Sequence, residues 1–474
     1  MAAKHICAHG ELNDKMEEEC GIFGVLAREE DCNVANLTYL GLLALQHRGQ
    51  ESAGICVNNR GDFKLHKEMG LVNDVFSQQK LASLPGQMAI GHVRYSTTGS
   101  SMLVNAQPLL ITSIKGELAL AHNGNLLNGS ELRFNLESHG AIFHSTLDTE
   151  VIAHLVAHSF EDNLIDALLQ SLHQLKGAFS IVAMTRDSLV AVRDPYGFRP
   201  LVLGKIGSID VVASESCALD LIGADLIKEV EPGELVIINQ QGIKSIKYCS
   251  KRPYQFCIFE FIYFARPDSN IGGQNIHLAR KEMGRQLAVE MKREADLVVP
   301  VPDSGVAAAL GFAEESGIPF AKGILRNRYV GRTFIQPDQE IRDLKVRIKL
   351  SPIREIIKGK RVILVDDSIV RGTTSKQIIN RVRETGAREV HVAISSPPVT
   401  HPCFFGLDTA KRQELIAQSK KVEEIAGHIE ADSLTYLSRE GLLKSINAAG
   451  YGFCTGCFTG EYPLGLEIKE GDGV

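Results

Sequence analysis

The sequence predicts a two-domain chain, with packed sheets under helical cover in the first half and a doubly wound parallel α/β sheet in the second. Three observations carry this. Up to about residue 250 the chain is a succession of strand-like runs broken by few helices. Beyond it, strand–loop–helix units recur with unbroken apolar runs, the mark of parallel strands buried on both faces. A length of 474 residues also exceeds what one hydrophobic core organises.

In chain order, IFGVLA (22–27) reads as a strand and VANLTYLGLLALQHRG (34–49) as an amphipathic helix. QMAIGHVRYST (87–97) and ELALAHNGNL (117–126) are strand-like. So are AFSIVAMTRDSLVAVRD (178–194), RPLVLG (199–204) and DVVASES (210–216). ELVIINQQGIKSIKY (234–248) contains a hairpin signal, Gln241-Gly242 between two alternating runs. TEVIAHLVAHSF (149–160) is a helix, apolar at Val151, Ile152, Leu155 and Val156. In the second half, residues 295–320 and 360–396 each read strand, loop, helix, strand. Ligands of such sheets sit beyond the carboxyl ends of the strands. After about 410 the chain is helical and charged, ending in a glycine-rich CTGC region.

A net charge of −6 gives no reason to expect nucleic acid or an anionic membrane as the main partner. No apolar stretch reaches the ~18 residues of a membrane helix, and the first nineteen residues lack the apolar core of a secretory signal. Ten cysteines without such a signal point to a reducing, cytoplasmic setting.

The most informative stretch is VILVDDSIVRGTTS (362–375). Its apolar run ends in Asp366 and Asp367 where a parallel strand would emerge, followed by Ser368 and the loop Arg371-Gly372-Thr373-Thr374-Ser375 that opens a helix. Glycine permits close approach, hydroxyls donate, and the helix N-terminus attracts an anion. The carboxylates suit ribose hydroxyls and Mg²⁺. The stretch thus asks for a sugar phosphate, against the plain alternative of a capped surface turn. It closely resembles the phosphoribosyl pyrophosphate (PRPP) loop of type I phosphoribosyltransferases. VPVPDSG (299–305), with Asp303 and Ser304, resembles their pyrophosphate loop. RNRYVGRTFIQP (326–337), with Arg326, Arg328 and Arg332, is similar to their mobile loop. The resemblance makes all these residues PRPP contacts and gives Ser304, Asp366 and Asp367 to Mg²⁺.

The first half carries ECGIFG (19–24), LQHRGQESAGI (45–55), GHVRYSTTG (91–99), AHNGN (121–125) and STLDTE (145–150). Each is weak alone. Together they resemble the class II glutamine amidotransferases, N-terminal-nucleophile hydrolases built as an αββα sandwich of two antiparallel sheets between helical layers. Amide hydrolysis needs a thiolate, and a cysteine at the very N-terminus carries its own base, an α-amine of pKa about 7.7–8.0. The resemblance makes Cys20 the nucleophile and Asn123 and Gly124 the oxyanion donors. It places Arg94 on the glutamine carboxylate and Asp148 on its ammonium, with Arg48 and Tyr95 closing the pocket. Residues 1–19 are then a propeptide, and the mature chain starts at Cys20.

Cys454-Thr-Gly-Cys457 needs two further thiols for a four-cysteine site, and Cys257 and Cys403 are the candidates. Spacing alone leaves zinc, an iron–sulfur cluster or no metal open. The chain from Cys20 onward resembles the glutamine PRPP amidotransferase family in its iron–sulfur branch, which implies a [4Fe–4S] cluster on Cys257, Cys403, Cys454 and Cys457. The family usually has lysine where Arg326 stands.

The resemblance divides the chain into propeptide (1–19), glutamine amidotransferase domain (20–252), phosphoribosyltransferase domain (253–410) and helical C-terminal segment (411–474). It implies the conversion of PRPP, glutamine and water to 5-phospho-β-ribosylamine, glutamate and pyrophosphate, the opening step of purine synthesis. It also implies ammonia passing internally between the sites, feedback by purine nucleotides, and a homotetramer. Two rivals stand beside it. Glucosamine-6-phosphate synthase lacks VDDSIVRGTTS. A PRPP- or nucleotide-sensing regulator with an inactive phosphoribosyltransferase fold has no need of the complete first-half constellation.

Overall fold

A computed structural model describes residues 20–29, 32–95, 101–327, 350–407, 412–448 and 450–466. The first half contains two antiparallel sheets. One has the order β11-β9-β10-β1-β4-β2-β3, the other β13-β12-β8-β7-β6-β5. The first is built from β1 (Gly21–Ala27), β2 (Ser52–Asn59), β3 (Asp62–Met69), β4 (Met88–Arg94), β9 (Val202–Ile206), β10 (Ile209–Ala213) and β11 (Asp225–Glu229). The second is built from β5 (Leu109–Ser113), β6 (Gly116–Leu126), β7 (Gly177–Met184), β8 (Ser188–Arg193), β12 (Glu234–Asn239) and β13 (Gly242–Lys247).

Strand period explains the layering. On β1, Ile22 and Leu26 face the other sheet and pack with Ala121, Val182 and Val236. Phe23 and Val25 face outward, onto Val34 and Leu42 of α1 (Val34–Ala44) and Leu219 of α4 (Ser216–Ile222). On the outer face of the second sheet, Leu120, Phe179 and Ile181 meet α2 (Asp148–His158) and α3 (Leu164–Leu172). The result is the αββα sandwich. At Gly24 the sheets approach closely, since a Cβ there would fall 2.8 Å from Val182 Cγ1.

The second half is a parallel sheet of β15 (Leu297–Pro300), β16 (Arg361–Asp366), β17 (Glu389–Ile394) and β18 (Ser433–Tyr436), in that order. Alternate residues bury on opposite faces. Val298, Ile363 and Ala393 join one core, Val299, Val362 and Val392 the other. α5 (Ile276–Met291), α6 (Val306–Ser316) and α7 (Thr373–Glu384) supply helices of this half.

One expectation is corrected. The segment after 410 is not purely helical: Ser433–Tyr436 pairs with His391–Ile394 and completes the sheet. A boundary at 410 therefore separates a strand from its own sheet. The pair β14 (Phe256–Cys257) and β19 (Phe453–Cys454) does the same over a longer span, in parallel register. One core joins Ala178 and Phe198 of the sandwich to Phe256, Phe259, Cys403, Phe405 and Cys457.

Candidate active sites

Cys20 stands immediately before β1, a central strand, so its backbone is pinned by the pairing of Gly21 with Val93. The side chain is buried, and its thiol donates to the Tyr95 carbonyl at 3.5 Å. Burial pushes that thiol up to about 12, with Arg94 pulling down and Asp148 and Glu51 pushing further up. These charges therefore lie near the sulfur. Arg94, at the end of β4, is buried and lies 3.9 Å from Glu51 Oε2.

β6 delivers the other side of the site. His92 Nε2 lies 3.0 Å from the His122 carbonyl, which ties β4 to β6 one residue before Asn123. The Asn123 side-chain nitrogen is buried and has no hydrogen-bond partner among the described residues. Such an orphan is expensive in a folded protein and calls for a ligand. Gly124 has φ +147°, and a Cβ there would sit 2.0 Å from the Ala178 carbonyl oxygen, so only glycine fits. Asp148 opens α2 and accepts from Leu126 N–H at 3.0 Å, with His122 Nδ1 3.4 Å away. Burial opposes its ionisation, but His122 and the backbone donors hold its carboxyl below the usual range.

Arg48 takes a place that the motif did not foretell. It is fully buried, with Nη1 2.6 Å from Glu215 and Nη2 2.8 Å from Glu260, and its Nε donates to the Cys20 carbonyl at 3.2 Å. It thus grips the backbone of Cys20. Sequence reasoning missed both glutamates. Glu260, alone among aromatics in QFCIFEFIYF, was the available signal, because a carboxylate buried there requires a cationic partner.

In the second half, Asp366, Asp367 and Ser368 are buried at the carboxyl end of β16. Ser304 Oγ is 3.4 Å from Asp366 Oδ1, which also accepts from Asp367 N–H at 2.9 Å. Ser368 Oγ donates to Asp367 at 2.6 Å. Gly372, at φ +83°, precedes Thr373, Thr374 and Ser375 in the first turn of α7, where the backbone N–H groups face outward from the helix start. Arg371 is held by Glu414 at 2.7 Å, and half-exposed Arg326 reaches Asp303 at 3.0 Å. Arg328 and Arg332 lie outside the described residues, as does the whole of 1–19.

The four cysteines also converge. Cys257 and Cys454 are register partners, and the Cys457 carbonyl accepts from the N–H groups of Thr400 and His401. Phe405 N–H lies 3.3 Å from Cys403 Sγ. Burial pushes Cys257 up to about 11, with Arg199 opposing and Cys403 adding. Burial likewise raises Cys457, and all three other thiols contribute. Yet among the described residues no group of three or more His, Cys, Asp or Glu is arranged to hold a single metal ion.

Residues 92–220 match the family described as "Glutamine amidotransferase domain", and residues 273–403 match "Phosphoribosyl transferase domain". The chain is 51% identical to the amidophosphoribosyltransferase of Bacillus subtilis, over 94% of each chain. It is 48% identical to that of Methanocaldococcus jannaschii, covering 95% of this chain and 99% of the relative. Among solved structures, the B. subtilis glutamine PRPP amidotransferase complexed with ADP and GMP superposes with a TM-score of 0.89 at 50% identity, over 96% of this chain and 99% of the other.

Proposed function

This chain belongs to the amidophosphoribosyltransferase family, and from that premise we propose how its residues divide the reaction between two sites. The overall activity is the family's: PRPP, glutamine and water give 5-phospho-β-ribosylamine, glutamate and pyrophosphate.

In the first site Cys20 is the nucleophile. While the bond to Glu19 is intact, its nitrogen is an amide without basicity and its buried thiol is a poor acid. Removal of residues 1–19 frees an α-amine that can take the thiol proton. The thiolate then attacks the glutamine carboxamide. The tetrahedral intermediate takes the proton back from the Cys20 α-ammonium and collapses to a glutamyl thioester with loss of ammonia. Water then hydrolyses the thioester to glutamate and free Cys20. The oxyanion of the tetrahedral intermediate is met by the Asn123 amide and Gly124 N–H, an assignment supported by the orphaned Asn123 nitrogen. That orphan is the observation that carries the reading. Arg94 and Asp148 take the α-carboxylate and α-ammonium, and Tyr95 lines the entry.

In the second site Asp366 and Asp367 hold the ribose hydroxyls, and the α7 start with Thr373, Thr374 and Ser375 holds the 5′-phosphate. Ser304 and the two aspartates form an all-oxygen donor set that fits Mg²⁺, which when bound neutralises the departing diphosphate. Arg326, with Arg328 and Arg332, completes the cationic lining. The four thiols are a donor set of the kind a [4Fe–4S] cluster takes, and Cys454, Cys257 and Cys403 lie near enough to Cys457 to raise it further. A cluster there would cross-link the C-terminal segment to the rest of the chain. The ADP and GMP in the B. subtilis structure support purine nucleotides as feedback ligands here.

The test is direct. Glutamine- and PRPP-dependent release of glutamate and pyrophosphate is expected, and Cys20→Ala should abolish it. Intact mass of active enzyme should correspond to a chain starting at Cys20, and active protein retaining residues 1–19 refutes the nucleophile assignment.

A further inference from the structure

We propose that Glu260, which lies outside the sandwich, is a positioning residue for the glutamine half-reaction. The proposal rests on Cys20 being the nucleophile. Glu260 is fully buried and sits in a π-turn, Glu260–Phe264. Arg280 locks that turn by donating to the carbonyls of Phe261 at 2.8 Å and Ala265 at 2.7 Å. Such turns are rare and concentrate at functional sites.

The Glu260 carboxylate reaches two arginines of the sandwich. It forms a fork with Arg48, Nη1 to Oε2 at 3.0 Å and Nη2 to Oε1 at 2.8 Å. Arg48 Nε in turn holds the Cys20 carbonyl. A fork of this kind fixes the plane of the guanidinium as well as its distance. Glu260 Oε1 also lies 3.8 Å from Arg199 Nη1. The other terminal nitrogen of Arg199 donates to the Phe405 carbonyl at 2.5 Å. The next residue, Gly406, at φ +99°, presses so closely on Gly124 that a Cβ would fall 3.1 Å from the Gly124 carbonyl carbon. Asn125 Nδ2 seals the contact by donating to the Phe404 carbonyl at 2.9 Å.

One carboxylate therefore braces both ends of the first site: the backbone of the nucleophile through Arg48, and the backbone of the oxyanion donor through Arg199 and the Phe404–Gly406 turn. Within the buried group Arg48 and Arg199 face Glu215 and Glu260, with His47 at its edge 2.7 Å from Glu215, so each buried charge has an opposite one beside it. Glutaminase geometry is thereby set by residues outside the sandwich.

Glu260→Gln keeps the shape and removes the charge. The expected result is a loss of glutamine-dependent kcat of roughly 10²-fold, the scale of a small misplacement of reacting groups, with ammonia-dependent turnover unchanged. Alkylation of Cys20 by a diazoketone analogue of glutamine should slow in parallel, and Glu260→Asp should restore part of the rate. Equal losses with ammonia and glutamine, or unchanged alkylation, would make the role merely structural and overturn the proposal. Arg199→Lys covers the case in which Glu260→Gln fails to fold. It retains the buried charge but loosens the Phe405 carbonyl, and an unchanged glutamine-to-ammonia ratio in that folded variant also overturns it. Failure of the underlying reading looks different: wild-type enzyme alkylated at Cys20 would still turn over glutamine.

Discussion

Replacing Asn123 by alanine should separate activity from stability. The Asn123 side-chain nitrogen is buried with no partner among the described residues. A buried donor left unsatisfied costs about 1–3 kcal/mol of folding free energy. Alanine removes that penalty and loses only a few packing contacts, so stability should change by no more than about 1 kcal/mol. That is a melting shift of about 1 °C in a protein of this size. Activity should respond very differently. Losing one oxyanion donor lowers kcat by roughly 10²–10³-fold, about 2.7–4 kcal/mol at the transition state. The assays are glutamine-dependent glutamate release and thermal unfolding on the same preparation. A collapse in melting temperature would show that the amide is structural. Unchanged kcat would remove Asn123 from the oxyanion site.

Three further outcomes follow from named geometry. Arg94→Ala should raise KM for glutamine at least about 10-fold, the scale of a lost charged hydrogen bond, while ammonia-dependent synthesis is retained; equal damage to both would refute a substrate-carboxylate role. Burial lowers His92 to about 3, so the unfolded chain binds a proton below pH 6.5 that the folded chain refuses. Its contribution therefore makes stability fall as pH drops from 6.5 towards 3, by about 1.4 kcal/mol per unit. Asp194, whose carboxyl burial raises to about 6, pulls the opposite way between its unfolded value and 6. The comparison of wild type with His92→Asn in urea at pH 5 and 7 isolates the histidine, and identical pH slopes would refute it. Protein purified without oxygen should be brown and hold about four irons per chain. Cys403→Ser or Cys454→Ser should lose the iron, and colourless, iron-free wild type would sink the cluster.

The chemistry was legible in the sequence wherever a motif forces a backbone conformation or ends a strand in charge. Asp366-Asp367 after an apolar run and Asn123-Gly124 are cases of this kind, and the structure puts the first pair at the carboxyl end of β16 and the second within β6. The hairpin of β2 and β3 went unread although Gly61, at φ +101°, follows Arg60 at φ +55° in its two-residue turn. The helix α5 also went unread, although Ile276, Ala279, Met283 and Leu287 keep a helical spacing; intervening charges diluted the pattern. β18 escaped because four residues of strand among helical charge carry little periodicity. The least legible part was the Arg48–Glu215–Glu260–Arg199 group. Its members are separated by up to 212 residues, and no local pattern reports a partner so far away.

The single core that runs from Ala178 and Phe198 through Phe256 and Phe259 to Phe405 and Cys457 bears on how such a protein can be inherited. Each half matches a domain family of its own. Aromatic residues nevertheless interlock across the join, as Phe198 stacks on Phe405 with ring centroids 4.2 Å apart, and this binds the halves to one another. Either half expressed alone would open a greasy wound where its neighbour had been. Recombination can shuffle domains that merely sit on a common string, but here it would have to carry both halves together.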